Sequence, residues 1–588
     1  MVNLRAKPYH LDDEAVRWVE DTIAAMSVEE KIGQLFINMG ASRDEAYLKD
    51  VLGRYHIAGV RYNPGPAADV HEQNRILQEN SKIPLLIAAN TEAGGNGACT
   101  DGTEVGYHVK VAATNDTKYA YEMGRISGFE AASIGCNWSF APIVDINRNW
   151  RNPIISNRAF SQDPDLVLAM AKAYMQGFWQ SGSVCAAKHF PGDGIDERDQ
   201  HLSSSVNSLS CEEWDATFGK VYSGLIEAGL HSIMAGHIMM PAYCRHFNPD
   251  HPETHLVPAT LSKELIIDLL KGKLGFNGVV VTDASHMVGL TAAMARKDLV
   301  PGAIAAGCDL FLFFNDPDED FGFMLDGYKN GVITEERLQD ALRRTLGLKA
   351  CLGLHKKAKT AIVPPKTALQ NIGLPANKAV FAEIADKAIT LVKNTDKTIL
   401  PISPEKYRRV LLVPVKGPEN PALVFFGGGK GPQPWEVLAD MLKAAGFEVA
   451  IFESAMDKLL KLPAEERLKN IMGMYSGKAA IAEFAGKYDL IINVANVMGG
   501  FQPVERINWP ASKGTPDIPW YVHEVPTIFV SVACPFHLAD APQVKCFINT
   551  YDNRQTTLKL LVEKLMGRSE FKGVSPVDAF CGFPDTRI

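Results

Sequence analysis

The chain has 588 residues, of which 46% are hydrophobic and 22% are charged, and its formal net charge at pH 7 is −8. This composition is typical of a folded globular protein and excludes a disordered, collagen-like or coiled-coil chain. The length predicts two to four domains.

Charge and hydropathy also give expectations about partners and location. The sequence has no basic domain or stripe, so we expect no nucleic-acid partner. No stretch reaches the roughly 18 apolar residues of a membrane span, and residues 1–16 lack the apolar core of a secretion signal. The ten cysteines include no CxxC pair and no zinc-type spacing with histidine. We therefore expect a cytoplasmic protein with reduced thiols, no metal, no cofactor and no membrane partner.

Residues 1–353 alternate short apolar runs with longer amphipathic segments, and the latter include helix candidates at 163–181, 211–228 and 261–272. Apolar runs without in/out alternation are typical of parallel strands buried on both faces. The predicted strands are 32–37, 58–63, 84–90, 137–146, 185–190, 231–238, 278–283 and 308–314. Eight such units predict a closed (β/α)8 barrel of the TIM type, with a long open doubly wound sheet as the structural alternative.

A segment with several prolines and lysines, 354–378, is predicted as a linker. A predicted helix at 379–394 follows it. The strand candidates beyond are 410–415, 448–453, 490–497, 527–533 and 544–551. We therefore predict an open α/β sandwich domain over 379–588, which is expected to pack against the barrel or to help form a homodimer.

Two features of this second domain were considered as functional sites. The glycine-rich run at 425–431 matches neither GxGxxG before a helix nor GxxxxGK[ST], so a nucleotide-dependent enzyme is disfavoured. Glu505 is interpreted as a surface residue, with an aglycone contact or a rival acid/base role as the alternative.

In a parallel barrel, catalytic groups lie at the carboxyl ends of strands and in the loops that follow. Asp283 comes at such an end, in GVVVTDASHM, where a carboxylate can act as a nucleophile or stabilise an oxocarbenium ion. From spacing alone, an Asp that caps the next helix is an equal alternative.

The segment KHFPGDGIDERDQH, residues 188–201, is the second candidate. Lys188 and His189 end a strand, where they suit hydrogen bonding to sugar hydroxyls. Asp199 and His201 suit a general acid/base dyad in which the carboxylate orients the imidazole and raises its basicity. A surface loop that carries chance titratable groups is the alternative.

The third candidate is 141–164, which ends in Asp163-Pro164, a predicted helix start. Arg158 follows a turn-rich loop there. It binds either a substrate oxygen or a loop carboxylate, and the residues alone favour neither.

Four motifs in chain order, APIVD…RNP…RxF…DP, KHFPG, the DxH pair and PATLS…LGFNGVVVTDASHM, resemble glycoside hydrolase family 3. The resemblance covers roughly residues 25–350, and the branch that the motifs most resemble is that of the β-N-acetylglucosaminidases. The resemblance implies that Asp283 is the catalytic nucleophile. It also implies that His201 with Asp199 is the acid/base dyad of that branch.

The same resemblance implies a set of sugar ligands. Lys188, His189 and Arg158 match residues that bind the sugar in the −1 subsite, and Met287 matches a neighbouring methionine. Asn90 stands where the branch often has an Asp that contacts the sugar.

The sequence also departs from the family pattern. Asn90 lacks the charge of the usual Asp, and the Arg that commonly follows is replaced near Asn96. The family's GHG is Gly192-Asp193-Gly194 here, which puts an additional carboxylate close to the acid/base loop. His237, outside these motifs, is interpreted as a structural histidine, and His286, within the last motif, as a residue at the pocket entrance.

Together these features predict a retaining, exo-acting β-N-acetylhexosaminidase that acts on a small carbohydrate. A β-N-acetylglucosaminide phosphorylase is the first alternative, because a neutral imidazole does not repel an incoming phosphate as a carboxylate would. A β-glucosidase of the same family is the second, and a catalytically silent carbohydrate-binding protein on the same fold is the third.

Overall fold

The computed structural model describes residues 1–250, 256–417, 431–467, 469–470, 480–497, 506–509 and 516–588. Glu505 and residues 425–430 of the glycine-rich run lie outside the described residues. The chain forms two compact units, one of residues 1–108 with 116–381 and one of residues 109–115 with 382–588.

The first unit is built on eight parallel strands that close into a barrel in the order β1-β8-β7-β6-β5-β4-β3-β2. The strands are β1 (Phe36–Gly40), β2 (Gly59–Tyr62), β3 (Leu86–Ala89), β4 (Trp138–Ser139), β5 (Val184–Phe190), β6 (Ser232–Ala235), β7 (Val279–Ala284) and β8 (Leu310–Leu312). The predicted barrel is therefore confirmed, and the open doubly wound alternative is excluded.

Helices alternate with these strands, as a barrel of βα units requires. From Asp13 to Ala388 they are α1 (Asp13–Ala25), α2 (Val28–Gly33), α3 (Glu45–Tyr55), α4 (Ala67–Asn80), α5 (His108–Ala113), α6 (Thr117–Ser133), α7 (Pro164–Trp179), α8 (Cys211–Trp214), α9 (Lys220–Glu227), α10 (Pro241–Phe247), α11 (Val288–Thr291), α12 (Arg296–Ala305), α13 (Pro317–Lys329), α14 (Glu335–Cys351) and α15 (Pro375–Ala388). Two π-helical segments, Asp215–Gly219 and Glu264–Lys273, complete the set.

Local sequence explains how the rim segments are positioned. Asp163 caps α7 by accepting a hydrogen bond from the backbone N–H of Asp165, and Pro164 occupies the first helical turn, as predicted. All seven residues of β5 are buried. The strand therefore enters the barrel as an apolar run and carries its two last polar residues, Lys188 and His189, to the carboxyl edge.

The segment between the barrel and the second sheet contains three short 3₁₀ helices, Leu354–Lys356, Lys359–Ala361 and Lys366–Asn371. The predicted helix at 379–394 is wrong in its second half. The helix ends at Ala388, and Thr390–Asn394 forms a strand, β9. This strand pairs antiparallel with a strand about 150 residues further along the chain, a contact that a local pattern does not reveal.

The second unit contains a six-stranded sheet in the order β9-β14-β13-β12-β10-β11, and all pairs except β9·β14 are parallel. Its other strands are β10 (Arg409–Lys416), β11 (Glu448–Ile451), β12 (Leu490–Asn496), β13 (Thr527–Ser531) and β14 (Cys546–Asn549), and its described helices are α16 (Pro434–Ala444), α17 (Ala455–Leu460), α18 (Ile481–Ala485) and α19 (Gln555–Leu565). Leu412 and Leu411 of β10 belong to different apolar clusters, so the sheet is buried on both faces. The predicted open α/β domain is confirmed. In the part of the chain that the structure describes, no helix combines the length and apolarity that crossing a bilayer demands.

A buried carboxylate joins the strands at the opposite, amino-terminal edge of the barrel. Asp309, just before β8, is fully buried and accepts a hydrogen bond from the backbone N–H of Val280 in β7 at 2.8 Å. Lys271 lies 2.9 Å from the same carboxylate, and Arg337 also pairs with it.

We expect Asp309→Asn to lower the free energy of unfolding by about 3–5 kcal/mol, because it removes the carboxylate that pairs with the largely buried Lys271, whereas Arg337 keeps Asp340 at 2.7 Å. Asp13→Asn is the matched control, since Asp13 pairs with Arg5 at 2.7 Å while 74% of its side chain is exposed. That variant should lose less than about 1 kcal/mol. Urea denaturation of both variants measures the difference, and equal losses would contradict the argument.

Candidate active site

The candidate residues collect at the carboxyl-terminal edge of the barrel. Those at strand ends are Asn90, Lys188, His189 and Asp283, and those in the following loops are Arg158, Asp199, His201 and Met287. Because all eight barrel strands are parallel, these ends and loops share one rim.

Asp283 lies near the end of β7 with 12% of its side chain exposed, and its Oδ2 is 3.9 Å from Nε2 of His189. Burial raises the pKa of this carboxyl, but the positive charges of His189, His237, His201 and Lys188 outweigh it and lower the pKa to about 2. Asp283 caps no helix, because α11 begins after Met287 as its N-cap. The carboxylate is therefore ionised at neutral pH and faces the barrel mouth.

His189 is held by a carboxylate that the sequence analysis did not single out. Its ring Nδ1–H donates to Asp145 Oδ2 at 2.7 Å, and its backbone N–H donates to Asp145 Oδ1 at 3.1 Å. Asp145 is fully buried. Two bonds to one carboxylate fix the ring, so that Nε2 points towards Asp283.

Glu92, also missed from the sequence, connects two of the predicted sugar ligands. It accepts hydrogen bonds from Nε and Nη2 of Arg158, both at 3.0 Å, and its Oε1 is 2.6 Å from Nζ of Lys188. Burial raises the pKa of Glu92, but Arg158 and Lys188 bring it well below its ordinary value. The sequence left open whether Arg158 binds a substrate oxygen or a loop carboxylate. In the structure it is paired with a loop carboxylate, that of Glu92.

A signal for Glu92 was present in the sequence. Glu92 stands two residues after Asn90 in NTEAGG, just beyond the predicted strand 84–90. The strand-end rule that selected Asp283 applies equally to that position, but only Asn90 was considered there.

The predicted dyad forms a hydrogen-bonded pair. Nδ1–H of His201 donates to Asp199 Oδ1 at 2.6 Å, and the backbone N–H of His201 donates to the same oxygen at 2.9 Å. Burial lowers the pKa of His201, but the hydrogen bond to Asp199 and the charge of Asp283 raise it above the ordinary 6.5. His201 and Asp283 therefore interact electrostatically within one site.

The loop that carries this dyad is docked on the segment after Asp283. The carbonyl of His201 accepts a hydrogen bond from the N–H of Val288 at 3.1 Å, and that of Gln200 accepts one from Gly289 at 3.0 Å. Asp199 is only 5% exposed. The alternative of a solvated surface loop is excluded for this part of 188–201.

Asp193, the additional carboxylate of the loop, is buried inside this network. It accepts hydrogen bonds from Asn152 Nδ2 at 2.8 Å and Gln200 Nε2 at 3.1 Å, and its own N–H donates to Asp145 at 2.7 Å. Burial first, and then the charge of Asp145, raise the pKa of Asp193 to about 6. The residue ties the turn after β5 to the loop that carries Asp199 and His201.

The remaining candidates lie at the edge of this cluster. Asn90 has a buried Oδ1 that finds no hydrogen-bond partner in the described ranges. Met287 is 2% exposed. His237 is buried, with Nδ1 bonded to Thr260 Oγ1 at 2.8 Å and Nε2 to the Ala284 carbonyl at 3.0 Å, which agrees with a structural histidine.

His286, by contrast, is exposed and stacks on Phe313 with ring centroids 6.5 Å apart. This is consistent with a place at the pocket entrance. Among the residues that the structure describes, no three His, Cys, Asp or Glu side chains are grouped as a metal site would need.

Comparison with known proteins agrees with this fold. The model of the glycosyl hydrolase family 3 N-terminal domain matches residues 27–348. A β-N-acetylglucosaminidase/β-glucosidase of Cellulomonas fimi is 41% identical in an alignment of 590 positions that covers 100% of both chains. β-Hexosaminidase A of Pseudoalteromonas piscicida is 28% identical over 59% of this chain and 61% of its own length.

Two solved structures extend the comparison. The β-glucoside phosphorylase BglX superposes with a TM-score of 0.89 and 38% identity over 99% of both chains. The family 3 β-N-acetylglucosaminidase of Paenibacillus sp. str. FPU-7 has a TM-score of 0.74 and 25% identity, over 94% of this chain and 99% of its own. These comparisons define the class as glycoside hydrolase. The chain belongs to glycosyl hydrolase family 3, as the sequence motifs indicated.

We expect the buried charge of Asp193 to make stability depend on pH. Because its pKa rises from an ordinary 3.8 to about 6 on folding, ionisation of Asp193 destabilises the folded state as the pH rises through that range. Asp193→Asn removes that cost. Its unfolding temperature relative to wild type should therefore increase between pH 4 and pH 6, the interval that those two values bracket.

Thermal denaturation across that range measures the difference, and Asp13→Asn controls for replacement of an exposed carboxylate. A difference between Asp193→Asn and wild type that stays constant with pH would contradict the raised pKa.

Proposed function

We propose that this chain is a retaining, exo-acting β-N-acetylhexosaminidase that removes terminal N-acetylglucosamine-type sugars. The observation that carries the proposal is the pair of ionisable groups, Asp283 and His201, at the same barrel mouth. Asp283 has a pKa of about 2, and His201, bonded to Asp199, has a pKa above its ordinary value. An ionised nucleophile and a protonated acid at the same pH are what a double displacement requires.

In the first step, an Asp283 carboxylate oxygen attacks the anomeric carbon and the bond to the leaving oxygen breaks. His201 donates its proton to that oxygen, and the charge of Asp199 stabilises the imidazolium beforehand. A glycosyl-enzyme and a neutral His201 result.

In the second step, neutral His201 takes a proton from the acceptor, whose oxygen attacks the anomeric carbon. The bond to Asp283 breaks, and the carboxylate is regenerated. Two inversions at one carbon retain its configuration.

The sugar ligands are proposed from the same geometry. Lys188 and Arg158 are oriented by Glu92, and His189 is oriented by Asp145, so their donors are positioned before a substrate binds. The unpaired Oδ1 of Asn90 is an acceptor that a sugar hydroxyl would satisfy. Met287 is proposed to line the same subsite.

The sugar is proposed from the relatives as well as from the dyad. The Cellulomonas fimi relative is named for both N-acetylglucosaminide and glucoside cleavage. The Asp-x-His pair is the feature of the N-acetylglucosaminidase branch that this chain retains. A β-glucosidase activity at the same site is the alternative.

We expect purified enzyme to cleave aryl N-acetyl-β-glucosaminides. Asp283→Ala should abolish cleavage of every leaving group, whereas His201→Ala should lose about 10²–10⁴-fold with a poor leaving group and much less with dinitrophenolate, which needs no proton. A 2-deoxy-2-fluoro glycoside should label Asp283, as read by mass spectrometry. Equal losses for both leaving groups in His201→Ala, or a label on another residue, would contradict the assignment.

Phosphorolysis is the second candidate function, and a specific observation favours it. BglX, named a β-glucoside phosphorylase, is 38% identical over 99% of this chain, which exceeds the 25% of the Paenibacillus glucosaminidase. A neutral imidazole beside the glycosyl-enzyme also presents no negative charge to an approaching phosphate.

We expect inorganic phosphate to divert the glycosyl-enzyme to a sugar 1-phosphate at the expense of free sugar. Phosphorus NMR of reactions with and without phosphate measures the partition. Sulfate at equal ionic strength is the control for salt. If free sugar is the sole product at every phosphate concentration, the second candidate is excluded and hydrolysis stands.

A further inference from the structure

An arginine that the sequence analysis did not single out lies on the same rim. Arg61 is the third residue of β2, where its backbone is in register with Met39 of β1 and Ala88 of β3. Its side chain is half-buried, whereas the flanking Val60 and Tyr62 are buried. A cation therefore stands close to the carboxyl end of a barrel strand, where substrate groups are bound in this architecture.

The partners of Arg61 are neutral. Its Nη1 donates to Asn63 Oδ1 at 2.7 Å and contacts the sulfur of Met39 at 3.6 Å. Among the described residues, no carboxylate forms an ion pair with it. Arg158, in contrast, is neutralised by two hydrogen bonds to Glu92, and Lys188 binds the same carboxylate.

The electrostatic neighbours of Arg61 locate it within the candidate active site. Burial lowers the pKa of its guanidinium, and the charges of Glu92 and Asp283 partly counter this. Arg61 in turn contributes to the lowered pKa of His286, after burial and other charges. It therefore lies within electrostatic range of the nucleophile and of the residue at the pocket entrance.

This arrangement differs from that of a structural arginine. Guanidinium groups that serve packing are usually paired with a carboxylate when they are partly buried, since an unpaired charge is costly there. Glu92 is already occupied by two cations, and Asp283 is needed as a nucleophile. The positive charge of Arg61 thus remains available to an anion that enters the mouth.

We propose that Arg61 binds an oxyanion on the acceptor and leaving-group side of the site. The anion is either inorganic phosphate as acceptor or an acidic group on the leaving group. A guanidinium binds either through paired N–H donors. The inference rests on the proposed function and adds a residue that sets the choice of acceptor or aglycone.

With phosphate, the step balances as follows. An oxygen of dihydrogen phosphate forms the bond to the anomeric carbon and its proton passes to neutral His201. The bond from that carbon to Asp283 breaks, and its electron pair returns to the carboxylate. Arg61 binds the phosphate oxygens that do not react and takes no proton.

The first arm of the test compares wild type, Arg61→Lys and Arg61→Met with an aryl glycoside over a range of phosphate concentrations. Arg61→Met should raise the KM for phosphate and lower the ratio of sugar 1-phosphate to free sugar by about tenfold or more, the loss expected for a charge-assisted bond. Arg61→Lys should retain part of the effect, because it keeps the charge but not the paired donors.

Arg43→Met is the matched control. Arg43 lies on the same side of the barrel and donates to the backbone carbonyl of Asn63 at 2.6 Å. Its loss should leave the product ratio unchanged. A phosphate KM that is the same in Arg61→Met and wild type would remove phosphate as the ligand of Arg61.

The second arm uses a glycoside with a carboxylated leaving group and its methyl ester. If Arg61 binds an acidic leaving group, Arg61→Met should lose the preference of wild type for the acid, whereas Arg43→Met should keep it. The inference is overturned if wild type neither uses phosphate nor prefers the acid to its methyl ester. It is also overturned if Arg61→Met has the same phosphate KM and the same preference for the acid as wild type. Absence of any glycoside cleavage by wild type would instead overturn the proposed function.

Discussion

The ion pairs that Glu92 forms with Arg158 and Lys188 join three separate parts of the barrel rim. Glu92 follows β3, Arg158 lies in the loop after β4, and Lys188 belongs to β5. Removing Glu92 would leave two largely buried cations without a counter-charge, so the carboxylate holds Arg158 and Lys188 in place together. His189, next in the chain, is fixed by Asp145 in the same way, and the floor of the site is therefore rigid before a substrate arrives.

Most of the architecture was predictable because its strands are buried on both faces. Such strands are continuous apolar runs, and eight of them with helices between them indicate a closed barrel. The prediction failed where structure depends on a distant partner. The segment 379–394 has a helical pattern throughout, yet Thr390–Asn394 is a strand because Cys546–Asn549 lies beside it.

The site was predictable where a single polar residue stands at the end of an apolar strand. The rule that polar groups at strand ends carry function selected Asp283, Lys188 and His189, and family motifs added roles that spacing left open. Asp145 and Arg61 were missed because each lies inside a run assigned as strand, at 137–146 and 58–63. Whether such a side chain faces a partner or an open mouth depends on contacts across the barrel, which no local pattern contains.

The docking of the dyad loop has an evolutionary consequence. Hydrogen bonds from Val288 and Gly289 attach the backbone of Gln200 and His201 to the connection that begins at Asp283. The separation between His201 and Asp283 is thus set by a short anchor, and not by the length of chain that precedes the dyad. Glu197 and Arg198, at the exposed tip of the loop, can therefore vary while this anchor stays intact, because exposed loop tips tolerate change.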